Sequence, residues 1–479
     1  MMSTKKENQE FKKSLGLLDA TMLVAGSMIG SGIFIVSSDI ARNTGSAGWL
    51  MVVWLICGFM TLAAALSYGE LSAMFPKAGG QYVYLKEAYG PVVSFTFGWT
   101  FFAVIQTATI AAVGVAFSKF TAYLFPVLDE DVYLLEVGSY HVSSAQVLAI
   151  GVILLLTLIN TRGVQNGKTL QTILTLIKIL SLILLVLFGF AAFDSDVWNQ
   201  NWSAATRWDL HRLNADGSTA GYSLFGTFAA MSAALVGALF SSDSWHSSSA
   251  VAGEIKNPQR NIGLSLALGT VIVTTIYILT NLMYTGVLTM EHMASAPKDR
   301  VAMVVAQQIF GPLGIGILAV MIMISTFGCN NGLILAGARV YYSMANDGLF
   351  FKKTGRLNHK AVPAYALWLQ GAVATIWCLT GKYGDLLDMI TCVVVIFYML
   401  CIIGIFLLRR KRPDIPRPYK AFGYPLIPAL YILMGLSFIV LLVIYKPQFT
   451  WPGIIITLLG IPLYYVVRRS SHLTHSNEH

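Results

Sequence analysis

The sequence predicts an all-α polytopic membrane protein with about twelve transmembrane helices, because of its composition, its apolar windows and its charge distribution. Of the 479 residues, 56% are hydrophobic and 11% are charged, and the mean hydropathy is +0.67. Soluble globular domains carry about a quarter charged residues, so this chain has too few charges to solvate domains of its length. We therefore expect a lipid bilayer around most of the chain.

The apolar residues are gathered into windows long enough to cross a bilayer. A spanning helix needs about 20 mostly apolar residues, because in lipid each backbone N–H and C=O must be satisfied within the segment. The windows are 18–37, 47–69, 91–125, 144–160, 169–192, 223–251, 262–289, 312–343, 362–380, 386–408, 424–445 and 451–467. Those at 91–125, 223–251 and 312–343 exceed one straight crossing, so we expect tilt or a break in each.

Lysine and arginine are distributed unevenly between the two sides of these windows. If the polar start of the chain is cytoplasmic, 23 of the 32 basic residues lie on the cytoplasmic side, 8 on the other side, and Lys178 within the membrane. Cytoplasmic loops carry such an excess. We therefore expect a multi-pass protein of the cytoplasmic membrane, without a cleavable signal, whose tails 1–17 and 468–479 are both cytoplasmic.

The net charge of +9 does not indicate a nucleic-acid partner, because its densest part is the 409–420 loop between two apolar windows. This loop is a topology signal, with contact to anionic lipid as a second reading. The five cysteines all fall in apolar windows, so no disulfide framework is expected. Motifs for metal binding and for an ATP-binding loop do not occur, and we expect no metal, no cofactor and no ATP-driven pump.

The first window contains a cluster of small residues, Gly26-Ser27-Met28-Ile29-Gly30-Ser31-Gly32-Ile33-Phe34. Each interior glycine weakens a helix by about 1 kcal/mol relative to alanine. One reading is close packing between membrane helices, which small residues favour. The other is a functional break, in which freed N–H groups face an anionic group of a ligand and freed carbonyls face a cation.

The sixth window contains a second irregular stretch, Phe240-Ser241-Ser242-Asp243-Ser244-Trp245-His246-Ser247-Ser248-Ser249. A run this polar must line a cavity or be buried in protein rather than face lipid. Two five-helix repeats of inverted topology would place the first and sixth helices at corresponding positions. Interrupted segments at corresponding positions of two repeats indicate where a transporter binds its substrate.

Several motifs along nearly the whole chain resemble the amino acid–polyamine–organocation superfamily, in particular its bacterial L-type amino-acid transporter branch. The residues that carry the resemblance are 26–34, Tyr68-Gly69-Glu70-Leu71, 75–82, Asn160-Thr161-Arg162-Gly163-Val164 leading to Lys178, 253–260, Gly337-Ala338-Arg339-Val340, 347–350, Arg412-Pro413-Asp414 and Arg417-Pro418-Tyr419. The resemblance implies a LeuT-like 5+5 inverted repeat with discontinuous helices 1 and 6. The repeats would cover 18–192 and 223–408, followed by two additional helices in 424–467.

The resemblance also implies a site in the first broken helix. The backbone of Ser31 and Gly32 would bind the substrate carboxylate, and Gly30 would permit its approach. The carbonyl of Met28, with Ile29 nearby, would receive the α-ammonium group.

On the sixth helix the matching carbonyls are those of Phe240, Ser241 and Asp243, and the Phe240 ring would cap the substrate. The alternative role of Phe240 is ordinary core packing. The alternative role of Asp243 is to hold the broken helix by hydrogen bonds. The chain departs from many members at Ser242 and Ser244, where they have Tyr and Gly. Serine hydroxyls can satisfy a freed backbone, so unwinding is still expected.

Lys178 lies near the middle of the 169–192 window, too deep for its ammonium group to reach an interface. It therefore needs buried acceptors, such as unwound carbonyls near Ile29 and Gly30 or a hydroxyl of Ser325 or Thr326. The resemblance implies that this lysine occupies the place of the sodium ion found in sodium-coupled relatives of the fold. A packing lysine paired with a core acid is the alternative.

The resemblance thus predicts a sodium-independent secondary transporter or exchanger of small neutral L-amino acids that works by alternating access. A proton-linked or cationic amino-acid carrier is the alternative within this class, favoured by Asp243. The alternatives from other classes are a membrane enzyme and an amino-acid sensor without transport. An enzyme should show an ionisable cluster suited to acid–base or metal chemistry, and the only firmly intramembrane ionisable residues are Lys178, Asp243 and His246, so we expect no enzyme.

The expected partners are amino-acid substrates and the bilayer, and the working expectation for the oligomeric state is a monomer. The loop 126–143 contains no cysteine, so no disulfide-linked heavy subunit is expected. Charged residues at the cytoplasmic ends of the spans form either an inner gate or a topology signal, and both readings stay open: Glu70, Lys77, Glu254, Lys256 and Arg339.

Overall fold

The structure is a computed structural model, and it describes residues 13–137, 140–214, 217–380 and 383–476. Most of the predicted N-terminal tail, with Lys5, Lys6 and Lys12, and the last three residues of the predicted C-terminal tail lie outside the described residues. The described chain is almost entirely helical, which confirms the predicted all-α class.

The described part of the chain contains eighteen α-helices. They are α1 (Leu17–Met28), α2 (Gly32–Thr44), α3 (Ala47–Met74), α4 (Gln81–Tyr89), α5 (Pro91–Thr100), α6 (Gln106–Leu124), α7 (Ser144–Thr161), α8 (Val164–Ala191), α9 (Ser195–Trp202), α10 (Leu224–Ser241), α11 (Ser247–Ala250), α12 (Pro258–Val287), α13 (Met290–Ala294), α14 (Val301–Asn346), α15 (Ala364–Thr380), α16 (Tyr383–Lys411), α17 (Leu426–Tyr445) and α18 (Pro447–Ser476).

The number of membrane-length helices agrees with the prediction of about twelve spans. Within the described ranges, ten helices are long and apolar enough to cross a bilayer, and the bent pair α1 and α2 makes an eleventh span. The shorter apolar helix Ala364–Leu379 falls on the predicted ninth window and completes the set.

One helical irregularity lies within the overlong window 91–125, and another lies just before the overlong window 312–343. A π-helical turn at Phe101–Ile105 separates α5 from α6 within one continuous span. In α14 the non-helical residue Gly311, with a φ of 66°, separates an N-terminal arm from the span that follows. The irregularity expected in the 91–125 window is therefore present, whereas Gly311 lies one residue before the 312–343 window and does not interrupt it.

The spans pack in two groups. The broken-helix group contains α1, α2, α3, α10 and α12, in which α3 packs along α12, α1 along α12, and α10 along α2. The framework group contains α6, α7, α14 and α15, which pack against one another. Each group takes two consecutive spans from each half of the chain. The exact repeat boundaries, 18–192 and 223–408, stay a prediction.

Two small hairpins interrupt the helical architecture outside the spans, and neither was predicted. β1 (Tyr133–Val137) pairs antiparallel with β2 (Tyr140–Ser143), and β3 (His211–Leu213) with β4 (Thr219–Gly221).

Next to the first hairpin, Lys298 lies 2.7 Å from Asp129 and 2.8 Å from Asp131. Partial burial alone would raise the pKa of Asp129, but the hydrogen bond and charge of Lys298 outweigh it and lower that pKa. This ion cluster joins two loops on the predicted outer side.

Candidate functional site

The first span is interrupted where its small residues lie. α1 ends at Met28, α2 begins at Gly32, and the two helices are bent by 42°. Ile29, in the gap, is extended with a ψ of 90°. A helix end leaves its last carbonyls and first N–H groups without intrahelical partners. The predicted discontinuity is confirmed, and it concentrates backbone polar groups in the interior of the bundle.

The sixth span is interrupted in its serine-rich stretch. α10 ends at Ser241 and helix resumes at Ser247. Between them Ser244 has a φ of 64°, a left-handed conformation that is uncommon for a residue with a side chain. The Ser247 hydroxyl donates to the Ser244 carbonyl at 2.6 Å, and the Ser249 hydroxyl donates to the His246 carbonyl at 2.7 Å. The second predicted break is also confirmed, and serine hydroxyls support it.

The two breaks contact each other. A Cβ atom on Gly32 would clash with the Ser241 side chain and lie 2.8 Å from the Ser241 Cα, so only glycine permits this approach. The Tyr277 hydroxyl, on α12, lies 3.1 Å from the Met28 carbonyl oxygen and 3.2 Å from that of Ser241. One phenol therefore joins both interrupted backbones.

A cavity with about 300 Å³ of empty space lies between the breaks. Seven of the eight predicted substrate-binding residues line it, namely Met28, Gly30, Ser31, Gly32, Phe240, Ser241 and Asp243. The eighth, Ile29, is buried beside them. The remaining walls are Ser27, Thr109, Val113, Ser244, Cys329 and Leu333. Residues more than 200 positions apart in the sequence thus surround one space.

Lys178 lies behind the first break and is 1% exposed. Its ammonium group donates to the Gly26 carbonyl, to the Ile29 carbonyl at 2.8 Å and to the Ser325 carbonyl at 3.3 Å. In the part of the chain that the structure describes, no carboxylate lies within ion-pair distance of Lys178. The geometry therefore favours the cation-like reading of Lys178 over pairing with a core acid.

The two predicted α14 partners have different roles. The Ser325 hydroxyl donates to the Ile29 and Gly30 carbonyls at 3.2 and 3.4 Å, so it acts as a donor to the break rather than an acceptor for Lys178. The Thr326 hydroxyl donates to carbonyls of its own helix at Ile322 and Met323. Ser325 belongs to the cage around the first break, whereas the Thr326 hydroxyl is bonded within α14 and does not contact the break.

Asp243 is part of a hydrogen-bonded cluster on the opposite wall of the cavity. The Tyr398 hydroxyl, on α16, donates to the Asp243 carboxylate. The same hydroxyl lies 2.9 Å from Nδ1 of His246. Sequence reasoning singled out Asp243 and His246 as ionisable residues within the membrane but missed Tyr398, which lies 155 positions from Asp243.

Sequence reasoning also missed Tyr277 and the walls contributed by α6 and α14. Cys329 is one of these, and its Sγ lies 3.0 Å from the Ser27 carbonyl oxygen. Tyr277 and Cys329 are polar residues within apolar windows, which is a weak signal. No local pattern in the sequence relates them to a break on another helix.

At the predicted cytoplasmic end, two carboxylates are fully buried in ion pairs. Glu254 pairs with Arg339 at 2.9 Å, which connects the end of the sixth span to α14. Glu70 pairs with Arg409 at 2.6 Å and accepts from the Ala421 N–H at 2.7 Å. Lys77 and Lys256 are exposed. The candidate gate residues therefore divide into buried ion pairs and solvent-facing lysines.

The cavity can bind a small zwitterion by its polar backbone groups. The start of α2 offers N–H groups and the positive end of a helix dipole, which favour an anion. The ends of α1 and α10 offer carbonyl oxygens, which favour an ammonium group. Among the described residues, no group of three or more His, Cys, Asp or Glu side chains is placed to hold a metal ion.

Known proteins with similar sequences are amino-acid carriers. The serine/threonine exchanger SteT of Bacillus subtilis (strain 168) is 29% identical over 466 residues, covering 97% of this chain and 98% of that protein. The human b(0,+)-type amino acid transporter 1 is 27% identical over 97% of this chain and 90% of its own length. The human large neutral amino acids transporter small subunit 2 is 27% identical over 95% of this chain and 80% of its own length.

The sequence profile of the family described as amino acid permease matches residues 15–466, which include both broken helices, Lys178 and Asp243. The matched range covers nearly all of the chain. The chain therefore belongs to the amino acid permease family, within the amino acid–polyamine–organocation superfamily.

Proposed function

We propose that this chain is a sodium-independent secondary transporter that exchanges small neutral L-amino acids by alternating access. The observation that carries the proposal is the single cavity between two interrupted helices, lined by Gly30, Ser31 and Gly32 on one side and by Ser241 and Asp243 on the other. Interrupted helices with a site at their junction are typical of secondary transporters.

The proposed binding mode uses backbone groups at both ends of the amino acid. The carboxylate binds at the N-terminus of α2, near Ser31 and Gly32. The α-ammonium binds the carbonyls at the ends of α1 and α10, near Met28 and Ser241. Because these groups belong to every amino acid, they recognise the class, and the side-chain walls select the size.

Small neutral side chains fit the apolar part of the cavity. Val113, Leu333 and the 8%-exposed Phe240 leave little room beside the backbone groups. The names of similar proteins include a serine/threonine exchanger and a carrier of large neutral amino acids. We infer a preference for alanine and serine over larger residues.

Sodium independence follows from Lys178. Its ammonium group already donates hydrogen bonds to the carbonyls of Gly26, Ile29 and Ser325, where a sodium ion would otherwise bind. A cation bound at the same carbonyls would be repelled by a unit charge in a poorly hydrated interior. Transport thus needs no sodium ion between α1 and α14.

Counterflow of labelled alanine in proteoliposomes tests the proposal. Vesicles loaded with unlabelled alanine and diluted into labelled alanine take up label transiently if the protein transports, with equal rates in sodium-free and sodium-containing buffer. A sensor without transport gives no uptake above protein-free vesicles. A strict sodium requirement would refute the proposed role of Lys178.

We further propose that both termini and the 409–420 loop are cytoplasmic, and that the chain works without a disulfide-linked heavy subunit. Asp414 in that loop and Glu136 in the first hairpin are both exposed. In a cysteine-free background, an impermeant thiol reagent added to intact cells should label Glu136→Cys and leave Asp414→Cys unlabelled. The reverse pattern would invert the proposed topology.

A further inference from the structure

A chain of three side chains connects the substrate cavity to a second cavity. Asp243 lines the substrate cavity. Tyr398 donates to the Asp243 carboxylate and contacts Nδ1 of His246 at 2.9 Å. His246 lines the second cavity, which has about 340 Å³ of empty space. The three polar groups thus form an unbroken hydrogen-bonded path between two spaces.

The second cavity lies toward the predicted cytoplasmic end of the protein. Its walls include Gly79, Gln81 and Ala250. The Gly79 N–H donates to the Ala250 carbonyl at 3.0 Å, and both residues lie within a few positions of the predicted cytoplasmic loops. The path from Asp243 therefore leads from the middle of the membrane toward one face.

The titratable side chains packed around the path are phenols and thiols. Tyr68 packs its ring on Tyr398 with 6.0 Å between centroids. The other titratable side chains that face the cluster are the thiols and phenols of Cys57, Tyr84, Cys329, Cys401 and Tyr431. Unperturbed thiols and phenols ionise at about 8.5 and 10. Asp243 and His246 are thus the carboxyl and the imidazole of the cluster, the two groups whose unperturbed pKa values lie below those of all these neighbours.

We propose that Asp243 takes up a proton through the substrate cavity when that cavity is open to the outside, and that Asp243, Tyr398 and His246 form a relay that releases this proton into the cytoplasmic-side cavity, so that a proton accompanies the amino acid during net uptake. This inference rests on the proposed transport function. It adds net proton-coupled uptake to the exchange mode, which such a carrier also performs.

Protons and charges balance in this transfer, and water is the only other reactant. With Asp243 ionised, the Tyr398 hydroxyl donates to the carboxylate and Nδ1–H of His246 donates to the Tyr398 oxygen. A proton that arrives from water at Nε2 allows Nδ1 to pass its proton to Tyr398 and Tyr398 to pass its own to Asp243. The result is a neutral acid, a neutral phenol and the other neutral imidazole tautomer, with no charge left in the path. The reverse sequence operates during uptake: Asp243 gives the proton that it took up from the substrate cavity to Tyr398, Tyr398 gives its own proton to Nδ1, and Nε2 releases a proton to water in the second cavity.

Substrate binding and proton binding support each other physically. An empty cavity holds water, which hydrates an ionised Asp243. A bound amino acid displaces this water, and a carboxylate without hydration or a cation nearby is costly within a membrane. Protonation of Asp243 removes that cost, so substrate favours the proton and the proton favours substrate to the same extent.

Accumulation of alanine against its gradient tests the relay. Proteoliposomes without internal amino acid are given an exterior about one pH unit more acidic than the interior, with the membrane potential held at zero by potassium and valinomycin. One proton per alanine permits up to about tenfold accumulation, since one pH unit corresponds to about 1.36 kcal/mol. We expect several-fold accumulation in the wild type and a ratio near one in Tyr398→Phe and in His246→Gln.

Tyr431→Phe is the matched control. Tyr431 lines a cavity beside Asp243 and is not part of the relay, so its loss of a hydroxyl should leave the accumulation ratio at the wild-type value. Counterflow at equal pH and a monodisperse elution profile show that each variant is folded. If Tyr398→Phe or His246→Gln fails the counterflow or elution check, the accumulation ratio of the other variant tests the relay.

The outcomes separate the two proposals. Absence of wild-type counterflow at equal pH would refute the transport function and the relay together. Wild-type counterflow without accumulation under the pH gradient would leave a strict exchanger and overturn the relay alone. A wild-type accumulation ratio in folded Tyr398→Phe or His246→Gln would also overturn it.

Discussion

The two interrupted helices perform the same structural task with different chemistry. The first break uses glycine, and its carbonyls are held from outside by Lys178 on α8 and Ser325 on α14. The second uses serine, and hydroxyls from its own segment hold its backbone, as in the bond from Ser247 to Ser244. The glycine-rich break depends on neighbouring helices, whereas the serine-rich break is held mainly by its own segment, with one bond from Tyr277 to the Ser241 carbonyl. The first break should therefore be more sensitive to substitution.

The largest expected effect is at the contact between the breaks. Gly32→Val places side-chain atoms where Ser241 lies, since even a Cβ would be 2.8 Å from the Ser241 Cα. Overpacking of this kind costs about 1–3 kcal/mol or more, and here it also blocks the proposed carboxylate site. We expect alanine counterflow to fall by at least 100-fold with near-normal expression.

Gly151→Val serves as the control for the same substitution, because nothing lies within 4 Å of a Cβ at Gly151. It should transport within about twofold of the wild type. Ser31→Ala should also have a mild effect, since the proposed contact is made by the backbone. Wild-type transport by Gly32→Val would show that the cavity between the breaks is not the site.

The next effect tests the external support of the first break. Lys178→Ala removes the donor shared by the carbonyls of Gly26, Ile29 and Ser325. Each hydrogen bond from a charged group contributes about 1.5–3 kcal/mol. We expect at least a 30-fold loss of counterflow, while the purified protein still elutes as one species. Near-normal exchange in Lys178→Ala would mean that Lys178 is a packing residue.

A smaller effect on transport is expected from a substitution in the serine-rich second break. Asp243→Asn keeps the size of the side chain but removes the negative charge of a carboxylate that lines the cavity and accepts a hydrogen bond from Tyr398. A hydrogen bond to a charged group is worth about 1.5–3 kcal/mol, so the ratio of alanine to arginine uptake should change by about tenfold. Uptake of both labelled amino acids at equal pH measures it. An unchanged rate and ratio would remove Asp243 from the binding site.

The smallest effect sharpens the difference between glycine and serine. Ser244 has a left-handed backbone with a φ of 64°, which costs a residue with a side chain about 1–2 kcal/mol. Ser244→Gly should raise the thermal stability in detergent slightly and keep exchange within about twofold. Ser244→Val should lose exchange instead. If Ser244→Gly melts at the same temperature as the wild type but loses most of its transport, the Ser244 hydroxyl rather than its backbone conformation is needed for transport.

The sequence was most informative where the bilayer imposes a simple constraint. Windows of apolar residues predicted the spans, because backbone groups cannot stay unpaired in lipid. Glycine and serine clusters at Gly30 and Ser244 predicted the two breaks for the same reason, since such residues fit poorly in a lipid-facing helix. The identity of the long-range partners was not predictable in this way. Tyr277 and Tyr398 look like ordinary aromatic residues of apolar helices, and only their positions in space relate them to the breaks.

The sequence by itself determined that the chain is a helical membrane protein, that its first and sixth spans are interrupted, and that Lys178 needs buried acceptors. These conclusions depend on the local cost of unpaired polar groups in hydrocarbon, which any window of the sequence reports. The tertiary structure alone decided that Lys178 donates to Gly26, Ile29 and Ser325, and that Tyr398 connects Asp243 to His246. Such contacts join residues separated by about 150 positions, and their formation depends on how complete helices pack, which no local pattern encodes.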